Sequence, residues 1–176
     1  STGIRALTVG DDDALAWVAV SSGSDDIILA PAQGRIARFH EREVRPMGRD
    51  AAGVIGIRLA RKGDRVVGMG VVQPGNDILV LTETGYGKRV AASEFRPKHR
   101  GSQGVRLISL EGTKSGLVAS VELVDEKDEE LLLISSEGQV VRTGVTSINR
   151  YGSAARGADR HHGRWQGSVA ARAWPG

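Results

Sequence analysis

Arginine is the residue type whose placement carries chemistry in this sequence. Arg38, Arg89 and Arg142 stand four residues after Gly34, Gly85 and Gly138, and Arg45 with Arg96 and Arg49 with Arg100 each recur fifty-one residues apart. Lys88 and Lys98 adjoin these columns, and Arg150 and Arg156 keep the third loop basic where Asn149 and Ser153 replace the loop arginines. A guanidinium offers donors in a fixed fork and takes phosphate oxygens two at a time. Cations repeated at even spacing predict a rim that follows the backbone of a polyanion without reading bases. The charge alone is equally that of a solvated surface. Recurrence in register is what singles these residues out.

Other chemistry finds less support. The stretch Thr84-Gly85-Tyr86-Gly87-Lys88-Arg89 superficially suggests a glycine-rich phosphate loop, but it joins two apolar runs as a hairpin turn and opens no helix. Tyr86 has no accompanying base or carboxylate pair that would make it a nucleophile. No GxxxxGK[ST], HExxH or GxSxG pattern occurs, and the chain has no cysteine, which removes disulfides, a thiol nucleophile and thiolate metal sites. His161 and His162 are neighbours without a third ligand at metal-site spacing, so no metal site is expected.

The elements that must hold these arginines repeat. Glu43-Val44-Arg45-Pro46, Arg49 and Gly53 match Glu94-Phe95-Arg96-Pro97, Arg100 and Gly104. Residues 25–75 read as one unit with strands at Ile27–Ala30, Arg35–Phe39, Val54–Ala60 and Arg65–Val72, separated by Gly-containing turns. Residues 76–127 repeat it as DILVLT, YGKRVA, VRLISL and GLVASVELV, and residues 128–157 begin a third unit with LLLIS and QVVRTGV. Four strands in about fifty residues is the arithmetic of propeller blades. Residues 1–24 read as the end of a preceding blade, with a strand over Leu15–Val20 and Trp17 in a core position. Residues 158–176 break the pattern; this tail has no period-2 alternation and reads as atypical: disordered, foreign to the repeat, or the product of a shifted reading frame.

The 176 residues, 40% of them apolar, suffice for one ordinary core or for small units that share one. No apolar run approaches the roughly 20 residues of a spanning helix, and the first residues do not resemble a signal peptide, so no membrane role and a cytoplasmic setting are expected. The net charge of 24 − 21 = +3 conceals segregation. Six arginines lie between Gln33 and Arg58, whereas 7–30 and 111–137 are acidic.

At LTETGYGKRVAASEF, EGQVVRTGV and GVIGIRLARKGDRVVGMGVV the chain resembles the C-terminal domain of the DNA gyrase A subunit, over roughly residues 1–157. The resemblance implies an all-β fold, a β-pinwheel in which propeller-like blades exchange strands with their neighbours, here a partial disc of about three blades. It implies that the domain binds and wraps double-stranded DNA without sequence preference and is not itself catalytic. Partners would be the rest of gyrase A and gyrase B, with ATP and magnesium belonging to the holoenzyme and no cofactor to this part, on the chromosome in the bacterial cytoplasm. The family's Gln-Arg-Arg-Gly-Gly-Lys-Gly type of loop is missing, and His99-Arg100-Gly101-Ser102-Gln103-Gly104 is only a distant echo. The corresponding domain of the topoisomerase IV ParC subunit is the second reading, and a propeller-like module that docks an acidic protein is the third. An arc of blades also has open edges, which predicts self-association.

Overall fold

The computed structural model describes residues 3–110, 116–125, 127 and 130–153, together with the backbone pairing of 159–160 and 170–171. Among the described residues there is no α-helix; the chain forms antiparallel sheets joined by turns and short 3-10 segments.

The first sheet is built from β1 (Asp26–Pro31), β2 (Arg35–His40) and β3 (Val66–Val72). The second contains β4 (Asp77–Thr82), β5 (Tyr86–Ala91) and β7 (Val118–Val124). The fourth strand of the first sheet, β6 (Val105–Arg106), comes from the second repeat, so the order is β3-β1-β2-β6. The second sheet is completed in the same way by β10 (Asp159–Arg160), in the order β10-β5-β4-β7. The third sheet holds β8 (Glu130–Ile134) and β9 (Val140–Gly144), with β11 (Ala170–Ala171) beside β8. The first two blades thus each borrow an outer strand from the chain that follows. This is the strand exchange of a pinwheel.

The sequence of β4 explains why blades stack. DILVLT is apolar at successive positions because both its faces are covered. Ile78 and Val80 join a core with Ile28, Ile36, Val90, Leu107 and Val121, while Leu79 and Leu81 join a second core with Val124, Leu131, Leu133, Val145 and Ile148. A side chain of this size buried in full contributes about 1.5–3 kcal/mol. Where β3 approaches β7, the run VVGMGVV supplies the room: a Cβ on Gly68 would lie 2.5 Å from the Val121 carbonyl oxygen. Glycine there permits close sheet contact at some cost in strand propensity.

Several sequence expectations need correction. Leu15–Val20 forms no strand, and Trp17 is exposed, because no described strand lies beside this segment to pair or cover it. Val54–Ala60 makes only an isolated parallel bridge, Ile57 to Ser102, and VRLISL is a strand at Val105–Arg106 alone. The remainder of VRLISL is buried by packing, with Leu107 and Ile108 in the first core, and its backbone turns onto Gly34, whose carbonyl accepts from Leu107 and Ile108. Apolar alternation marked the burial of this segment but not its ladder. In the tail read as atypical, β10 and β11 pair with β5 and β8 respectively; the rest of 154–176, including His161 and His162, lies outside the described residues.

Candidate nucleic-acid interface

The candidate cations divide into an inward set and an outward set. Each repeat runs from its second strand into a 3-10 turn and then a polar loop: Glu41–Glu43 after β2, Ala92–Glu94 after β5, Val145–Ser147 after β9. Prolines Pro46 and Pro97 sit in the first two loops, where no ladder bond is required. These loops carry the outward cations.

Arg38 and Arg89 are turned inward. The Arg38 guanidinium donates through Nε and Nη2 to Asp26 Oδ2, at 2.9 and 2.7 Å, and through Nη1 to the carbonyls of Ala92 and Phe95 in the next repeat's 3-10 segment. Arg89 repeats the arrangement one blade on, donating to Asp77 at 3.2 Å and to the Ile148 carbonyl at 2.7 Å. This column clamps one blade to the next. The expectation that it offers free donors to phosphate does not extend to these two residues. Arg142, third in the column, pairs with Glu130 but remains exposed.

Lys88 is fully buried, with Nζ donating to the carbonyls of Gly152 and Ser153. Burial lowers its pKa to about 8, with Glu94 opposing the shift. Glu94 meanwhile accepts from the Ser153 N–H at 2.9 Å, so both side chains fasten the third loop to the second blade. Arg150 extends this contact, its Nη2 lying 2.8 Å from Asp77 Oδ1. That approach is a charge contact rather than an aligned hydrogen bond, because Oδ1 has no hydrogen-bond partner. Arg100 is half-buried and donates to the Glu43 and Ile55 carbonyls.

Arg45, Arg49, Arg96 and Lys98 are the outward set: all four are exposed, and among the described residues their side chains have no partner. Arg156 lies outside the described residues. Repeat alignment passed over a further group at the opposite ends of the strands, where an open groove of about 550 Å³ is lined in part by Arg35, Arg61 and Arg106. Arg35 and Arg106 face each other across β2 and β6. Arg106 is matched by Ile55 one repeat earlier, so no column marked it; net charge of the turns was the only available signal. Among the described residues no cluster of His, Cys, Asp and Glu could hold a metal ion.

Comparison with known proteins gives these features a family. The family model of the DNA gyrase C-terminal domain, beta-propeller, matches three times, over residues 25–73, 76–125 and 129–157. The DNA gyrase A protein of Salmonella typhimurium is 41% identical over 157 residues, which are 89% of this chain and 18% of that protein. Its counterpart from Aminobacterium colombiense is 40% identical over 156 residues, 89% of this chain and 19% of the relative. The chain therefore spans about a fifth of the curated relatives it matches. Among solved structures, a DNA gyrase A C-terminal domain superposes with a TM-score of 0.77 at 27% identity, covering 96% of this chain and 56% of that one. A topoisomerase IV C-terminal domain superposes at 0.78 with 23% identity, covering 94% and 52%, a likeness of fold alone. With three matched repeats and the strand exchange between its sheets, the chain belongs to the family of DNA gyrase C-terminal, beta-propeller domains.

Proposed function

We propose that this chain is the DNA-binding and DNA-wrapping part of gyrase A, acting on duplex DNA through its backbone. The single observation that carries the reading is the row of exposed, unpartnered cations, Arg45 and Arg49 on one blade and Arg96 and Lys98 on the next, the first pair on a loop that Arg100 holds at Glu43 and the second on a loop that the Arg38 clamp holds. A rigid scaffold presenting guanidiniums at blade intervals matches a regular polyanion. On the third repeat Arg142 and Arg150 add exposed charge, although each is paired, with Glu130 and Asp77 respectively. Bending DNA over such a rim costs on the order of 1–6 kcal/mol for 20–30 base pairs, and several charge-assisted contacts offset it.

On this reading the chain performs no covalent chemistry. Strand cleavage, ATP and magnesium belong to the remainder of gyrase A and to gyrase B, in the bacterial cytoplasm, and the wrapped segment is delivered to them for negative supercoiling. Among the described residues no helix is long and apolar enough to cross a membrane. The test is the salt dependence of binding to random-sequence duplex. Log affinity falls by roughly 0.9 per phosphate contact for each log unit of salt. Replacing Arg96 and Lys98 together by Ala should flatten the slope by about 2 with little change between sequences; an unchanged slope rejects this surface.

A further inference from the structure

We infer that Glu43 and Glu94 are positioning residues for DNA wrapping, each carboxylate fixing the cation-bearing loop of the next blade at a set place relative to the blade before. This rests on the reading that the exposed loop cations meet duplex DNA, and it names what gives those contacts a fixed spacing.

Charge alone argues against an acid here. Glu43 lies between Arg42 and Arg45 in sequence, and a carboxylate on a surface that follows a polyanion opposes binding. Its geometry supplies a reason for its presence. Glu43 Oε2 accepts the backbone N–H of Arg100 at 2.9 Å, and His99 Nδ1 lies 3.5 Å from the same oxygen. Both partners belong to the loop that carries Arg96 and Lys98. Fifty-one residues on, Glu94 Oε2 accepts the N–H of Ser153 at 2.9 Å, and Ser153 holds the place in its loop that Arg100 holds in the loop before. A main-chain bond recurs beside each of these: the N–H of Lys98 donates to the Arg38 carbonyl at 2.8 Å, and that of Tyr151 to the Arg89 carbonyl at 2.8 Å. The same two-point fastening is therefore built twice, at equivalent positions of successive blade joints.

The two points differ in kind. The main-chain bond is open to any residue at its positions, whereas the carboxylate bond exists only where the 3-10 turn ends in an acid long enough to reach the next loop. Glu41, in the same turn, is engaged in the other direction, with the Ser21 hydroxyl and the Asp25 N–H. Arg96 and Lys98 are exposed and unpartnered among the described residues, so the backbone beneath them sets where they stand. A cation on a loose loop still neutralises a phosphate and still counts in the salt dependence of binding. It does not hold a bend, because curvature stores elastic energy that only contacts at fixed spacing can balance. Loosening the loop should therefore separate wrapping from binding.

Variants at Glu43 separate position from charge. Glu43→Ala and Glu43→Gln lose the same negative charge, but only the glutamine keeps a side-chain oxygen able to accept the Arg100 N–H. The experiment is ligation of nicked circular plasmid at saturating protein, counting the linking-number change per bound chain, with the salt slope measured alongside. Glu43→Ala should keep the wild-type slope and lose about half of the linking-number change, while Glu43→Gln retains it. Should dichroism show that the alanine variant has not folded, Glu43→Asp takes its place; it keeps the charge, is one methylene short of the N–H, and should show the same loss. A linking-number change in the short or truncated variant equal to wild type, an equal loss in Glu43→Gln, or a wild-type chain that binds DNA and traps no writhe would each overturn the inference while leaving binding through Arg96 and Lys98 intact. A salt slope indifferent to Arg96 and Lys98 would overturn the reading beneath it as well.

Discussion

Arg89 and Asp77 form an ion pair across β4 and β5 in which the side chains are 8% and 2% exposed, and the same guanidinium reaches the Ile148 carbonyl of the following repeat. The pair sits where the second blade meets the third. Arg38 with Asp26 does the same one blade earlier.

Removing Arg89 should therefore be costly. Arg89→Ala leaves Asp77 with only the off-axis Arg150 contact and strips the Ile148 carbonyl of its donor, and breaking a buried pair in this way costs about 3–5 kcal/mol. Arg142→Ala, at an exposed pair, should cost under about 1 kcal/mol. Urea titration of the two variants checks the contrast. Equal losses would mean that burial does not govern the column.

The same contrast separates clamp from contact in DNA binding. Arg96→Ala should lower affinity and reduce the salt slope by about 1 while leaving the melting temperature within a degree or two. Arg38→Lys should keep the charge but lose the fork that joins Asp26 to two carbonyls, lowering the melting temperature with the salt slope unchanged. Parallel melting and binding curves decide between these outcomes.

Much of this organisation was legible in the residues. The apolar run of β4 announced a strand covered on both faces, and Gly34, Gly85 and Gly138 marked the repeat. The direction of the arginine column was harder to read because charge and spacing are the same for a clamp and for a rim. A second column would have resolved it: Asp26, Asp77 and Glu130 recur in register, each twelve residues before its arginine. An acid held at constant distance from a base is the pattern of an internal pair. Leu15–Val20 misled for the opposite reason, since alternation predicts a strand only where a neighbouring strand exists to receive it.

Lys88 should give the stability a measurable slope with pH. Its pKa is lowered to about 8 in the folded chain, chiefly by burial, against about 10.4 when unfolded. Between these values the unfolded chain holds the proton that the folded chain has lost, so this group makes stability rise with pH from about 8 to 10.4. Below pH 8 both states are protonated and the slope vanishes. Unfolding free energies at pH 7.5 and 10, compared between wild type and Lys88→Met, isolate the effect. The wild-type chain should gain relative to the variant, and a relative loss would show that the Gly152 and Ser153 carbonyls hold the ammonium more strongly than burial opposes it.

Gly104 and Gly53 occupy the same place in successive repeats, with φ of +69° and +81°. A side chain at either position carries a conformational cost of order 1–3 kcal/mol. At Gly104 a Cβ also strikes the Ile36 carbonyl at 2.4 Å, whereas at Gly53 nothing lies within 4 Å. Gly104→Ala should therefore lower the melting temperature more than Gly53→Ala when both are measured in dilute solution. Equal losses at the two positions would mean that the left-handed backbone, and not the approach to Ile36, sets the cost.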